Sequence, residues 1–178
     1  ENKYMKIPVA TYRLQFNPEF GFQKAREILS YLDELGISDI YASPVFKAKA
    51  GSPHGYDVVE LNQLNPDLGS TDDFKELIDD VKGLEMGWLQ DIVPNHMAFD
   101  GENQMLMDVL ENGRHSEFFE FFDIEWEHFY ESLTDRLLAL FLGKHYSECL
   151  DAGEITLQYD CDGFSINYYA LKLPLKIE

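Results

Sequence analysis

Ser70-Thr-Asp-Asp-Phe-Lys-Glu-Leu-Ile-Asp-Asp-Val-Lys-Gly83 leads, two residues later, into Met86-Gly-Trp-Leu-Gln-Asp-Ile-Val-Pro-Asn-His96, and the change of period between the two stretches decides the fold class. Ser70 and Thr71 precede Asp72 and Asp73, an order that caps free amide groups and suits the positive end of a helix dipole. Phe74, Leu77, Ile78 and Val81 then recur at helical spacing and Gly83 stops the run, so a helix is expected between the two signals. Met86 to Val93 is short and apolar and ends at Pro94, as a strand does. The same succession occurs upstream. Val9, Tyr12, Leu14 and Phe16 read as a strand closed by Asn17-Pro18. Phe22, Ala25, Ile28, Leu29, Leu32 and Leu35, followed by Gly36, read as one helix from Gly21 to Leu35, and Ile37 to Ala42 as a second strand. Strand, helix, strand, helix, strand implies parallel strands with helices packed outside them. The expected class is α/β: the first three βα units of a (β/α)8 barrel, or half of a doubly wound sheet.

Past Asn95 this rhythm breaks. Glu102 to Glu111 is expected to form a short helix and Leu133 to Leu142 another, with a further helical turn before Gly153. Ile155 to Tyr159 and Phe164 to Tyr169 flank Asp160-Cys161-Asp162-Gly163, a turn with the Asp-Gly pair that hairpins favour. An antiparallel hairpin inside a parallel chain marks an inserted α+β subdomain after the third strand. The expected division is therefore residues 1–100 for the barrel part and 101–178 for the insertion, which is expected to be truncated. Leu171, Leu173, Leu175 and Ile177 still alternate, so the chain is expected to stop soon after a strand. It begins at Glu1, which is not Met, so a boundary is expected there too.

Composition narrows the partners. With 45% hydrophobic residues among 178, the chain can bury a core without a disulfide or metal staple. Thirty-three acidic against 14 basic residues give a net charge of -19, which repels phosphate backbones and anionic lipid heads. Nucleic acid and membrane surfaces are thus poor partners, and neutral ones such as sugars stay open. The plainer meaning of the charge is a solvated surface. Cys149 and Cys161 fit no zinc or redox spacing, so two free thiols are expected. No apolar run approaches the roughly 18 residues that span a bilayer, no signal peptide is legible, and a cytoplasmic location is expected.

In parallel barrels the loops after the strands form the active face. Two clusters fall there: Ser52-Pro-His-Gly-Tyr-Asp57 after the second strand, and Asp91-Ile-Val-Pro-Asn-His96 at the end of the third. A sugar site needs an aromatic ring against an apolar pyranose face and fixed donors and acceptors for hydroxyls. Tyr56 offers the ring, while His54, His96 and Asp57 offer the polar groups. Each also has a plainer reading: Gly55 serving a turn, Tyr56 packing beneath it, Asp91 bracing a loop, Asn95 and His96 capping a helix. Taken singly, each plainer reading wins; their concurrence at successive strand ends favours a site.

Asp91-Ile-Val-Pro-Asn-His96 resembles the first signature region of the α-amylase superfamily, glycoside hydrolase family 13. Thr11-Tyr-Arg-Leu-Gln-Phe16, Tyr41-Ala-Ser-Pro44, Gly51-Ser-Pro-His-Gly-Tyr-Asp-Val-Val59 and Leu64-Asn-Pro-Asp-Leu-Gly69 are similar to its maltooligosyl trehalose synthase branch. Phe122-Asp-Ile-Glu-Trp126, the 143–153 stretch and Tyr168-Tyr169 extend the resemblance. It implies an intramolecular transglycosylation that turns the reducing-end α-1,4 bond of a maltooligosaccharide into an α,α-1,1 bond. It also implies that His96 binds sugar hydroxyls beside the cleaved bond, that Tyr56 stacks on the same sugar, and that Asp91 braces the centre. Asp57 and His54 share Tyr56's loop and touch sugar, with Arg13 and Gln15 supporting from below. In calcium-binding amylases the residue at Asn95 helps hold the ion, but for this branch no metal and no cofactor are expected.

A retaining glycosidase needs a carboxylate nucleophile and a carboxylic acid about 5 Å apart. In the superfamily both come from strands four and five, and a third acid from strand seven. None of those segments occurs here, so no catalytic residue is assigned in this chain and the 178 residues alone are expected to be inactive. Two alternatives stand beside this: a glucan-binding or regulatory protein that retains the sugar-contacting loops, and a hydrolase of the α-amylase type. An α/β-hydrolase lacks support, because no Gly-x-Ser-x-Gly elbow is present. Three parallel strands leave an open edge and an apolar inner face, so self-association is expected unless the insertion, through Phe118, Phe119, Phe121 and Phe122, folds over that face.

Overall fold

In the computed structural model the described residues are 7–161 and 163–175; Glu1, Asp162 and Ile177, which figure in the expectations above, lie outside them. The chain forms two compact units, Glu1–Ala98 and Phe99–Glu178.

The first unit is organised by three parallel strands, β1 (Thr11–Leu14), β2 (Asp39–Ala42) and β5 (Gly87–Gln90), in the order β1-β2-β5. Leu14, Ala42 and Gln90 share one register line, so all three strands end together. Leu14, Ile40 and Ala42 bury one sheet face against Ala25, Leu29 and Leu32 from one crossover and Leu77 and Val81 from the other. Full burial of each large aliphatic chain is worth about 1.5–3 kcal/mol, which makes this layer the main source of cohesion in the unit. Phe16, Phe22, Phe74 and Trp88 extend it as a chain of tilted and edge-on rings with centroids 5.1–6.2 Å apart. The row Arg13, Tyr41 and Leu89 lies on the opposite face, where Tyr41 and Leu89 stay exposed.

The helix expected from Gly21 to Leu35 comes in two pieces, α1 (Phe22–Glu27) and α2 (Leu29–Glu34). Ile28 between them donates its N–H to the carbonyl of Ala25, three residues back, at 3.3 Å, and Leu32 resumes four-residue bonding to Ile28 at 3.0 Å. The apolar face runs straight across the break, so spacing alone shows a single helix. A hairpin not anticipated from the sequence follows β2: β3 (Phe46–Ala48) pairs antiparallel with β4 (Val58–Leu64). Its register shifts at each step, which erases the period-two pattern that betrays a strand. The second crossover, α3 (Thr71–Gly83), opens on the expected cap. Ser70 Oγ accepts from the Asp73 amide at 3.1 Å while Asp73 Oδ2 accepts from the Ser70 amide at 2.7 Å, a reciprocal capping box.

In the second unit, α4 (Gln104–Asn112) is capped by buried Asn103, whose Oδ1 accepts from the Leu106 amide at 3.1 Å. After α5 (Tyr146–Asp151) come β6 (Ile155–Asp160), β7 (Gly163–Tyr168) and β8 (Leu171–Pro174), an antiparallel meander that contains the expected hairpin. Cys149 is buried and Cys161 exposed, and neither forms a disulfide.

The helix expected over Leu133 to Leu142 is absent. A single 3-10 turn at Glu131–Leu133 gives way, after a turn at Thr134 and Asp135, to chain without helix or strand through Leu142. Leu137, Ala139 and Phe141 are half-buried and line an apolar cavity of about 290 Å³ against Ile155, Ile166 and Leu173, whereas Leu138 and Leu140 are 74% and 92% exposed. Burial therefore alternates, and a near-continuous apolar run concealed a period of two. Phe118, Phe121 and Phe122 pack on one another, and Phe119 on Trp126 and under Arg114, all within this unit.

Hydrogen bonds from the Ser70 side chain, then from Gln23 and the Ser70 amide, hold the Asp73 carboxyl at about 2, below its ordinary 3.8. A depressed carboxylate stabilises the fold above the ordinary value, and that contribution disappears as pH falls through about 2. In Ser70→Ala we expect Asp73, followed by NMR, to titrate closer to 3.8, with unfolding in urea about 1 kcal/mol easier.

Candidate sugar-binding site

Because β1, β2 and β5 end together, the residues just beyond them share one rim of the sheet. Asp91 is held there by its own backbone, whose amide donates to the Ala42 carbonyl at 2.9 Å and so extends the ladder by one bond. Gln90 clamps the same turn: Nε2 donates to the carbonyls of Ser43 at 3.1 Å and Asp91 at 2.8 Å, while Oε1 accepts from Trp88 Nε1 at 3.1 Å.

Tyr56 arrives from the β3–β4 loop. Gly55 precedes it with φ +77°, and a Cβ at that position would stand 3.0 Å from the Pro44 carbonyl oxygen, so glycine is required for the turn. Ser52 Oγ organises the loop by accepting from the Gly55 amide at 3.0 Å and donating to Asp57. Tyr56 donates its own amide to His54 Nδ1 at 3.0 Å, which places the neutral ring's proton on Nε2, and Asp57 lies 3.8 Å from that Nδ1.

The groups meet at the Tyr56 hydroxyl. It donates to Asp91 Oδ2 at 2.5 Å and accepts from Arg13 Nη2 at 2.9 Å. Arg13 Nη2 also reaches Gln15 Oε1 at 2.8 Å, and Gln15 Nε2 donates to the His54 carbonyl at 3.2 Å. Tyr41 donates to the same Asp91 oxygen at 3.3 Å, and the Arg13 guanidinium sits 5.1 Å from the centre of its ring. The bond to Asp91, then desolvation, push the Tyr56 phenol above its ordinary 10.0 despite the opposing Arg13 charge. Arg13, Gln15, Tyr56 and Asp91 thus form one network, joined by the His54 backbone. Asp57 belongs to the loop's internal bonding. Asn95 and His96 are exposed and take part in none of the described hydrogen bonds.

Tyr41, Gln90 and Ser52 join the site without having been singled out. For Tyr41 a signal existed: alternation along β2 puts it opposite buried Ile40 and beside Arg13. Gln90 gave none, since its bond to the Ser43 carbonyl exists only once β2 and β5 are paired, whereas Ser52 stands within the 52–57 cluster and acts on Gly55 and Asp57 of the same loop. Among the described residues, no group of three or more His, Cys, Asp and Glu side chains is placed to hold a metal ion. None of the described helices is long and apolar enough to cross a membrane.

Three parallel strands joined by helical crossovers, with their ends on one rim, place the first unit in the α/β class. The family described as the α-amylase catalytic domain matches residues 23–131, and the chain belongs to that family. Within it the resemblance is to maltooligosyl trehalose synthases. Over 131 residues the chain is 41% identical to a putative maltooligosyl trehalose synthase of Mycobacterium tuberculosis, covering 69% of this chain and 17% of that protein. A crystal structure of a maltooligosyl trehalose synthase superposes with a TM-score of 0.88 at 36% identity, over 97% of this chain and 23% of the other. The corresponding enzyme of Arthrobacter ramosus gives 0.81 at 36% identity, over 95% and 21%. The chain thus spans under a quarter of the length of these relatives.

Substituting Asp91→Asn replaces the carboxylate acceptor whose hydrogen bond raises Tyr56 by a weaker, neutral amide. We expect an ultraviolet pH titration to show one tyrosine moving down toward 10.0. Because the raised phenol stabilises the fold below its ordinary value and ceases to as pH climbs through the higher one, the variant also loses part of its stability at neutral pH.

Proposed function

We propose that these residues form the sugar-holding part of an α-glucan-acting enzyme whose activity is that of the maltooligosyl trehalose synthases: moving a reducing-end α-1,4 linkage to an α,α-1,1 linkage within one maltooligosaccharide. The observation that carries this reading is the Tyr56 hydroxyl held between Asp91 and Arg13, which fixes the ring at the strand-end rim before any ligand arrives. A fixed ring stacks on a pyranose face with little loss of entropy. In this reading Tyr56 is the stacking platform, and His96, exposed and uncommitted in the described bonding, turns toward sugar hydroxyls. Asp91 and Arg13 position Tyr56, with Gln15 and the His54–Asp57 loop behind them, and Asn95 holds no metal.

The sheet β1-β2-β5 is then a segment of a (β/α)8 barrel and the second unit an inserted subdomain. The catalytic carboxylates belong to later strands, which agrees with Asp91 being engaged by two tyrosines. Incubation of the 178 residues with maltopentaose is expected to release no trehalose-ended product. Calorimetric titration with maltopentaose is expected to show weak binding that Tyr56→Ala removes; binding unaffected by that change would overturn the assignment. Micromolar affinity abolished by Tyr56→Ala would instead favour a dedicated glucan-binding protein.

Self-association belongs to the same proposal, because Tyr41 and Leu89, on the uncovered sheet face, are 37% and 42% exposed. Sedimentation velocity is expected to show a mass that rises with concentration, and a concentration-independent monomer would refute this.

A further inference from the structure

In the meander β6-β7-β8 the strand β6 is outermost. Phe164, which stands opposite Tyr159, turns its carbonyl toward the far side of β7, where it accepts from the Leu175 amide at 3.0 Å. Tyr159 and Phe164 are therefore a pair of the non-hydrogen-bonded kind. Backbone direction alternates along a strand, so Ile155, Leu157 and Tyr159 all turn their amides and carbonyls away from β7. Among the described residues nothing pairs with those groups.

Five of the six residues of β6 are exposed, Leu157 to 65% and Tyr159 to 73%. Open edges are ordinarily shielded by a lysine, a proline or a bulge. This strand, Ile-Thr-Leu-Gln-Tyr-Asp, has none of the three, and its register with β7 advances without a shift. Its one charge, Asp160, lies at the end and accepts from Lys172 at 3.0 Å. On the face that carries Leu157 and Tyr159 the apolar surface continues onto β7: the Tyr159 and Phe164 rings have centroids 4.7 Å apart, and Leu157 stands opposite Ile166. In a chain of net charge -19, an uncharged apolar edge is where two copies approach with least repulsion.

We infer that β6 is an interface between two copies of this chain, pairing antiparallel with itself about a two-fold axis at Gln158. This register sets Leu157 opposite Tyr159 of the second copy, and the symmetry repeats the pair. Each pair exchanges both of its backbone hydrogen bonds, which satisfies groups that the single chain leaves open. The apolar surfaces join into one row, from Phe164 and Tyr159 to Leu157 and Ile166 of the second copy. On the other face the Thr156 hydroxyl meets the Asp160 carboxylate. An axis at Leu157 would instead set Asp160 against Glu154, and like charges directly opposite destabilise a pair. The interface is independent of the sugar-binding reading and of the β1-β2-β5 face.

Cysteine cross-linking of the full chain tests the register. With Cys161→Ser in the background, the remaining native thiol is buried Cys149. Gln158→Cys is then expected to form a disulfide-linked dimer on mild oxidation, because the axis sets position 158 against itself in a non-hydrogen-bonded pair. Thr156→Cys is expected to form none, since its two copies stand about 13 Å apart along the strands, beyond disulfide reach. A dimer from Gln158→Cys alone supports the interface, and any other pattern overturns it. Sedimentation velocity separates this edge from the β1-β2-β5 face. Gln158→Lys puts two like charges on the axis at an exposed position and is expected to weaken association about 2- to 5-fold. Association that Leu89→Lys weakens and Gln158→Lys leaves unchanged belongs to the other face and overturns the β6 interface, as does a chain that stays monomeric at every concentration.

Discussion

Parallel pairing of β1, β2 and β5 in one register is the constraint from which the first unit follows. Parallel strands cannot be joined by tight turns, so each link must cross over, and a crossover that packs back on the sheet needs an apolar face turned inward. Ala25, Leu29 and Leu32 on one side and Leu77 and Val81 on the other supply it. The pairing also brings the three strand ends into line. Asp91 then meets the groups of β1 and β2 because its amide continues the ladder onto Ala42.

The site depends on this alignment more than on any single residue. Arg13 comes from β1, Tyr41 from β2, Asp91 from the end of β5 and Tyr56 from a hairpin loop, and no two of the four lie closer than 15 residues in the chain. They converge on one hydroxyl and one carboxylate oxygen, so the Tyr56 ring is aimed by bonds made at its hydroxyl.

The sequence was read well where each residue's neighbours in space were also its neighbours in the chain. The cap at Ser70, the stop at Gly83 and the Asp-Gly hairpin belong to this group, because capping and turn formation are local. Local pattern misleads where it and the tertiary context part. Leu133 to Leu142 is almost wholly apolar, and only the cavity behind Leu137, Ala139 and Phe141 shows that alternate residues, not one helical face, are turned inward. The β3–β4 hairpin leaves no period-two signature in the sequence because its register shifts remove the regular alternation.

By itself the sequence determined the three parallel strands with their helical crossovers, the α/β class and the residues at the strand ends, since these follow from hydrophobic period and local turn chemistry. Family membership was also legible in it, from motifs spread from Thr11 to Tyr169. Only the tertiary structure decided which strand-end residues act together. Arg13, Tyr41, Tyr56 and Asp91 are joined by hydrogen bonds and a ring contact of defined length and direction, whereas Asn95 and His96, from the same motif as Asp91, remain outside the network. Such bonds require positions within a few tenths of an ångström, and that precision comes from the packing of the sheet against its helices.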